Sequence, residues 1–323
     1  LNIQKYKFEK PKMKVFWASA IFAFLTAAVH ASEVAPLRVV ATVGMVADVV
    51  REVGGDRVSV TQLIGSGIDP HLYKPGRGDV NHLLAAHVIF YSGLKLEGKM
   101  TDTLERMARA GREAHAVAEA ARDSENSRRD DPHLWMDVQR WMRVVDVIAS
   151  TLSRLDPLHE ETYRARAANY LERLRALDDY VRRVTASIPP DARVLVTAHD
   201  AFYYFGRAYG LDVIGIQGVS TESEAGLERI NRLVDLLVER RVPAIFVETS
   251  VSDRNVRALI EGARARGHEV RIGGALFSDA MGAHGTYEGT YIGMIDHNAT
   301  IIARALGGAA PERGFQGLLG GAP

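Results

Sequence analysis

From Pro157 to Ile188 the chain runs without an internal glycine or proline, and this stretch constrains the fold more than any other. It is rich in Glu, Arg, Leu and Ala, which are strong helix formers. Tyr163, Ala167, Tyr170, Leu171, Leu174, Leu177, Tyr180 and Val181 recur at spacings of three and four, with Glu161/Arg164 and Glu172/Arg175 as supporting ion pairs. At 1.5 Å per residue, some 30 residues reach about 45 Å, longer than one small domain. A helical hairpin is the plainer alternative; one continuous helix connecting two halves fits the missing breakers better.

Both flanking halves alternate apolar, β-rich runs with amphipathic stretches. Strands are expected at Leu37–Val43, Val58–Ile64 and Val88–Ser92, with helices at Gly44–Val53, Asp79–Ala86, Thr101–Ala110 and Asp137–Leu155. After the long helix, strands are expected at Arg193–Thr197, Asp212–Ile216, Ala244–Glu248 and Glu269–Ile272. Helices are expected near Asp200–Tyr209, Ser223–Arg240, Asp253–Arg266 and Tyr287–Leu306. Such alternation implies parallel sheets with helices on both faces. The expected class is therefore α/β: two lobes, 32–156 and 189–309, joined by a rigid helix over 157–188, with a flexible tail over 310–323. The charged run Ala121–Asp131 reads as a solvated loop.

The first residues read as an export address. Lys5, Lys7, Lys10, Lys12 and Lys14 precede an uncharged apolar run, Val15–Val29, that ends at Val29-His30-Ala31 before Ser32. This suits a cleavable signal peptide over 1–31, with Met13 as a possible true start. The run is shorter than the ~20 residues of a membrane span. Without it the chain carries 35 basic against 39 acidic residues, so no global basic field points to nucleic acid. The 323 residues contain no cysteine, which excludes disulfides, thiolate metal sites and a lipid-modified cysteine. A monomer diffusing unanchored in a periplasm is the resulting expectation.

Chemistry concentrates at four positions. Asp69-Pro70-His71-Leu72 and Asp131-Pro132-His133-Leu134 are one tetrapeptide used twice, 62 residues apart, in a chain with eleven histidines. Asp and Pro form a turn with φ fixed at proline, so each imidazole stands on a constrained loop. His199 ends the apolar run RVLVTA and precedes a helix start, and Asp279 lies beyond the last strand. In open parallel sheets such strand-to-helix junctions are where ligands bind. Each residue alone has a bland alternative: a surface histidine, or for Asp279 a helix cap. Together, two from each half, they form a donor set suited to a divalent transition ion, and a shell so filled leaves little room for an activated water. Walker A, HExxH and GxSxG motifs are absent, and Gly273-Gly274-Ala275 lacks a full dinucleotide fingerprint. Glu248, ending AIFVE, could serve as a general base in a mononuclear metallohydrolase, the alternative function, or could orient a ligand histidine.

The segments GMVADVV (44–50), GIDPHLYKP (67–75), DPHLWMD (131–137), VLVTAHDAFYYFGRAYGL (194–211), GVSTESEAG (218–226), AIFVETSV (244–251), GGALFSDAMG (273–282) and GTYIGMIDHN (289–298) resemble the metal-binding solute-binding proteins of ABC transporters, in the TroA-like zinc/manganese branch. The resemblance implies two α/β lobes on a rigid backbone helix and a metal in the interlobe cleft. It implies a receptor, not an enzyme, that hands one Mn2+ or Zn2+ to an integral membrane permease driven by a cytoplasmic ATPase. Carried over position by position, the ligands are His71, His133, His199 and Asp279. Asp69, Asp131, Asp200 and Glu248 are the expected carboxylates behind the imidazoles. Manganese receptors of the related adhesin branch have Glu at the position of His199, and zinc-specialised receptors carry a long His-rich loop where Gly111–Asp131 holds just His115. The choice between the two ions stays open.

Overall fold

The computed structural model describes residues 35–122 and 130–320. The proposed leader and most of the charged run 121–131 lie outside those residues. The first half begins with β1 (Leu37–Ala41), α1 (Gly44–Gly54), β2 (Val58–Gln62), α2 (Arg77–Ala85) and β3 (Val88–Tyr91). It continues with α3 (Thr101–Arg109), β4 (Ala114–Ala116) and α4 (Val138–Leu155). Its strands form one parallel sheet of order β2-β1-β3-β4. Val39, Val40, Ala41, Val88, Ile89 and Phe90 are buried on both faces, the pattern of a parallel sheet covered by helices.

The long helix α5 (Glu160–Ala186) is continuous and, at 27 residues, about 40 Å long. Tyr163, Tyr170, Leu174, Leu177 and Val181 form its buried stripe. It packs on α1 and α4 of the first half and on α9 (Tyr291–Ala305) of the second. Polar ties fix its middle and C-terminal parts to both halves. Arg173 pairs with Glu52 at 2.7 Å, the Tyr170 hydroxyl donates to Asp48 at 3.1 Å, and Tyr180 meets Thr300 at 2.7 Å. One apolar core therefore runs from the first sheet through α5 and α9 to β7 and β8.

The second half holds two parallel pairs. They are β5 (Val194–Thr197) with β6 (Asp212–Gly215), and β7 (Ala244–Glu248) with β8 (Arg271–Leu276). Strand β5 lies beside β7. Helices α6 (Tyr203–Tyr209), α7 (Leu227–Glu239) and α8 (Arg254–Ala265) connect them. Val196, Val234, Leu237, Ile245 and Leu259 form a smaller core there.

Several boundaries differ from expectation, among them the start of α7 at Leu227, and three have evident local reasons. Helix α6 starts at Tyr203, because residues 199–202 carry the loop that presents His199. Helix α9 starts at Tyr291, where the Thr290 hydroxyl caps it by accepting the Gly293 N–H. Strand β8 runs past Ile272 to Leu276 through Gly273 and Gly274, with a register shift opposite Ile245/Phe246. The short β4 had no apolar run to announce it. The tail, expected to fray, folds back: the Phe315 N–H donates to Asp296, its ring meets Tyr180 at 5.2 Å, and Leu319 is buried. Among the described residues, no helix is long and apolar enough to cross a membrane.

Candidate metal centre

Each functional side chain stands at the C-terminal edge of a strand or on a loop facing it. His71 follows β2 on the loop that contains Gly67-Ile68-Asp69-Pro70, where Asp69 Oδ1 accepts the His71 backbone N–H at 2.9 Å. Gly98 lies behind it with φ +48°; a Cβ there would stand 2.2 Å from the His71 carbonyl oxygen, so only glycine lets the two backbones approach. His133 repeats the turn: Asp131 Oδ1 accepts both its backbone N–H, at 3.0 Å, and its ring Nδ1–H, at 2.8 Å. Trp135 packs edge-on against the His133 ring and donates its indole N–H to the Ser278 carbonyl at 3.0 Å, joining the two halves.

His199 leaves β5 directly. Glu248, ending β7, accepts its backbone N–H at 2.9 Å through Oε1 and its ring Nδ1–H at 2.5 Å through Oε2. Asp279 follows β8 on a loop held by Asn298 of α9, which accepts the Phe277 N–H and donates to the Phe277 carbonyl.

These placements bring His71, His133, His199 and Asp279 together, all buried, with one donor atom from each within 4.8 Å of all the others. Asp279 Oδ1 stands 3.2 Å from His133 Nε2, and Oδ2 stands 3.4 Å from His71 Nε2 and 3.2 Å from His199 Nε2. Because Asp131 and Glu248 take the Nδ1 protons, the Nε2 lone pairs of His133 and His199 point inward. His71 Nε2 and both Asp279 oxygens are buried without a hydrogen-bond partner among the described residues. Orphaned buried polar atoms are costly, and a divalent cation at their centre would satisfy all three.

The electrostatics match. Burial alone would raise the Asp279 carboxyl, but His199 and His133 hold it well below the usual range. Burial would lower the His133 imidazole, yet Asp279 and Asp131 push it up to about 9. Burial likewise opposes protonation of His199, and Glu248 and Asp279 override it, raising its pKa well above the ordinary value. Without a metal, the three carboxylates thus draw protons onto these rings.

Of the four carboxylates expected behind the imidazoles, Asp131 and Glu248 touch a ring. Asp69 holds the His71 backbone instead, and Asp200 donates its backbone N–H to the Gly218 carbonyl at 3.2 Å. His115 and His159 pair elsewhere, with Glu113 and Asp156. Gly98, Trp135, Thr221 and Asn298 were not anticipated; their partners lie far off in sequence, so spacing carries no signal for them.

A family model described as zinc-uptake complex component A, periplasmic, matches residues 39–305. The manganese-binding lipoprotein MntA of Bacillus subtilis is 47% identical over 275 residues, covering 84% of this chain and 90% of that protein. The zinc-binding protein TroA of Treponema pallidum is 46% identical, covering 83% and 88%. A solved structure of the periplasmic zinc-binding TroA from the same organism superposes with a TM-score of 0.81 at 45% identity, covering 84% of this chain and 99% of that one. These names correct one expectation. MntA and several streptococcal relatives are lipoproteins, held to a membrane by lipid, so the reading of an unanchored, freely diffusing receptor does not stand. A location outside the cytoplasm is consistent with the names.

Proposed function

The chain belongs to the family of periplasmic zinc-uptake component A, and from that premise we propose that it is the extracytoplasmic receptor of a metal ABC transporter. It captures one Mn2+ or Zn2+ on His71, His133, His199 and Asp279 and delivers it to a membrane permease coupled to an ATPase. One observation carries the ligand assignment. Donors from both halves of the chain converge, fully buried, and among the described residues His71 Nε2 and both Asp279 oxygens have no hydrogen-bond partner.

The same arrangement argues against hydrolysis. Both Glu248 oxygens accept from His199, so the candidate general base is engaged in holding that imidazole. Three imidazoles and a carboxylate make a closed shell of the carrying kind. Imidazole donors favour Zn2+ over Mn2+ by the Irving–Williams order, while Asp279, with one oxygen toward His133 and the other toward His71 and His199, can supply the fifth donor atom that Mn2+ accepts readily. Both ions are therefore expected to bind in vitro, with availability deciding the cargo. We read 32–156 and 189–309 as the two lobes, and residues 1–31 as the export leader.

The test is a thermal melt of metal-free protein titrated with MnCl2 or ZnCl2. An ion bound by the folded state alone raises the melting temperature by mass action, about 2.7 kcal/mol at 100 times Kd. An unchanged melting temperature with both ions overturns the proposal.

A further inference from the structure

The two Asp-Pro-His turns have the same sequence but opposite attachments. Asp131 spends Oδ1 twice on its own histidine, backbone and ring, and its other oxygen is buried without a partner among the described residues. His133 is thereby locked in place. Asp69 uses Oδ1 on the His71 backbone alone and turns Oδ2 to the other half of the molecule, accepting the Thr221 hydroxyl at 2.5 Å across 152 residues of sequence. No carboxylate holds the His71 Nδ1 among the described residues.

Thr221 is buried, on a loop whose residues Ser220, Glu222, Ser223 and Glu224 are exposed. On its loop Glu224 accepts from the Gln217 amide at 3.1 Å and from Asn255 of α8 at 2.9 Å. The loop before His71 is exposed at Ser66, Gly67 and Ile68, and Ile68 and Leu72 stay 43% and 53% accessible although both flank the buried His71. The pair is part-buried: Thr221 is buried and Asp69 half-buried.

We propose that the Thr221–Asp69 hydrogen bond is the latch that keeps His71 on the metal, and that His71 is the ligand that leaves first when the cargo is released. Thr221 is a positioning residue: it touches no metal and acts through Asp69 on the turn that carries His71. His133, His199 and Asp279 stay assembled when the latch opens, because their supports lie within buried structure. The inference rests on the metal-receptor reading above.

The test is the dissociation rate of Mn2+ and Zn2+ from the full-length protein, followed by stopped flow into excess chelator. Thr221→Val removes the hydroxyl at constant shape and should speed dissociation about tenfold with little change in the association rate. Thr221→Ser should restore the wild-type rate. A merely structural role would move the melting temperature and leave the Ser variant no special power of rescue. Amide exchange of the metal-free protein supplies a second readout: Thr221→Val should speed exchange at 67–72 and leave 133–136 unchanged. Equal dissociation rates for wild type and Thr221→Val, or no rescue by Ser, overturn the latch alone. A wild type that takes up neither ion overturns the receptor reading and the latch with it.

Discussion

Glu248→Gln isolates what the carboxylate behind His199 contributes. Glu248 is buried and accepts two hydrogen bonds, from the backbone N–H and from the ring Nδ1–H of the same residue. Gln keeps the shape but offers one acceptor oxygen. If that oxygen stays on the backbone N–H, the amide NH2 faces Nδ1, which must then accept. The ring proton moves to Nε2, where it blocks the metal. Loss of such a supporting carboxylate typically weakens metal affinity 10–100-fold, about 1.4–2.7 kcal/mol. The pH signature is sharper. Burial lowers the His199 pKa, but Glu248 and Asp279 lift it well above its ordinary value, so the metal-free ring holds a proton more tightly than a free imidazole and must release it to bind. His133, pushed up to about 9, does the same. Affinity of the wild type should therefore climb with pH through the neutral range and collapse in acid. With Glu248 neutralised, the His199 pKa falls and that proton is no longer there to lose. Isothermal titration with Zn2+ in two buffers of different ionisation enthalpy counts protons released. The variant should release about one fewer at pH 7, with a shallower pH profile. Unchanged proton release would refute the assignment of Glu248 as the group that sets the charge and tautomer of His199.

Other substitutions separate ligand, fold and backbone effects. His133→Ala should lose affinity severely while His159→Ala, paired with Asp156 beside α5, should bind as wild type; equal isotherms would contradict the ligand set. Burial pushes the Asp48 carboxyl up to about 6, despite hydrogen bonds from the Tyr291 N–H and Tyr170 hydroxyl. A folded pKa raised above the unfolded one places the extra proton on the folded state, so this group's stabilisation is complete in acid and is lost as pH rises through about 6. Two units amount to about 3 kcal/mol. Melts of metal-free Asp48→Asn against wild type should diverge in favour of the variant between pH 4 and 8, by roughly 6 °C; a constant difference would rule this out. Gly98→Ala, with φ +48° and a Cβ 2.2 Å from the His71 carbonyl, should cost about 1–3 kcal/mol and weaken metal binding as the His71 turn is displaced.

The parts legible in the sequence are those where one stretch of chain decides its own fate. Strands β3 and β5 are buried along their whole length, and β1 and β7 over most of theirs, so they read as largely apolar runs. Helix α5 announced itself by the absence of breakers and its repeating Tyr/Leu stripe. The four residues that converge in the cluster were legible because two copies of one tetrapeptide and two strand ends carry them. Through-space partnerships were not. Nothing near Thr221 or Asn298 marks them as supports for residues 152 or 21 positions away. Identical Asp-Pro-His turns could not reveal that Asp131 grips an imidazole while Asp69 grips a threonine of the other half, since the difference lies in what faces each loop. The tail failed for the same reason: a composition rich in Gly and Ala says little once Asp296 offers its oxygens to the Phe315 N–H.

The ties on α5 bear on how cargo can leave. Asp48 of α1 receives both the Tyr170 hydroxyl of α5 and the first N–H of α9, so a buried carboxylate staples both halves to the rod. Tyr180 with Thr300, and Trp135 with the Ser278 carbonyl and the Tyr291 hydroxyl, add further buried links. Opening the halves as rigid bodies would strip these groups of partners in a dry core, at about 1–3 kcal/mol for each one left unsatisfied. Motion of the His71 turn costs less, because it breaks one part-buried hydrogen bond, Thr221–Asp69, and the half-buried Asp69 carboxylate can be taken up by water. Release is therefore expected to run through the turn that carries His71, with α5 and its buried staples unchanged. Amide exchange should bear this out: loading the protein with Zn2+ should slow exchange at 67–72 far more than anywhere along 160–186. Comparable slowing along α5 would mean that the rod itself bends.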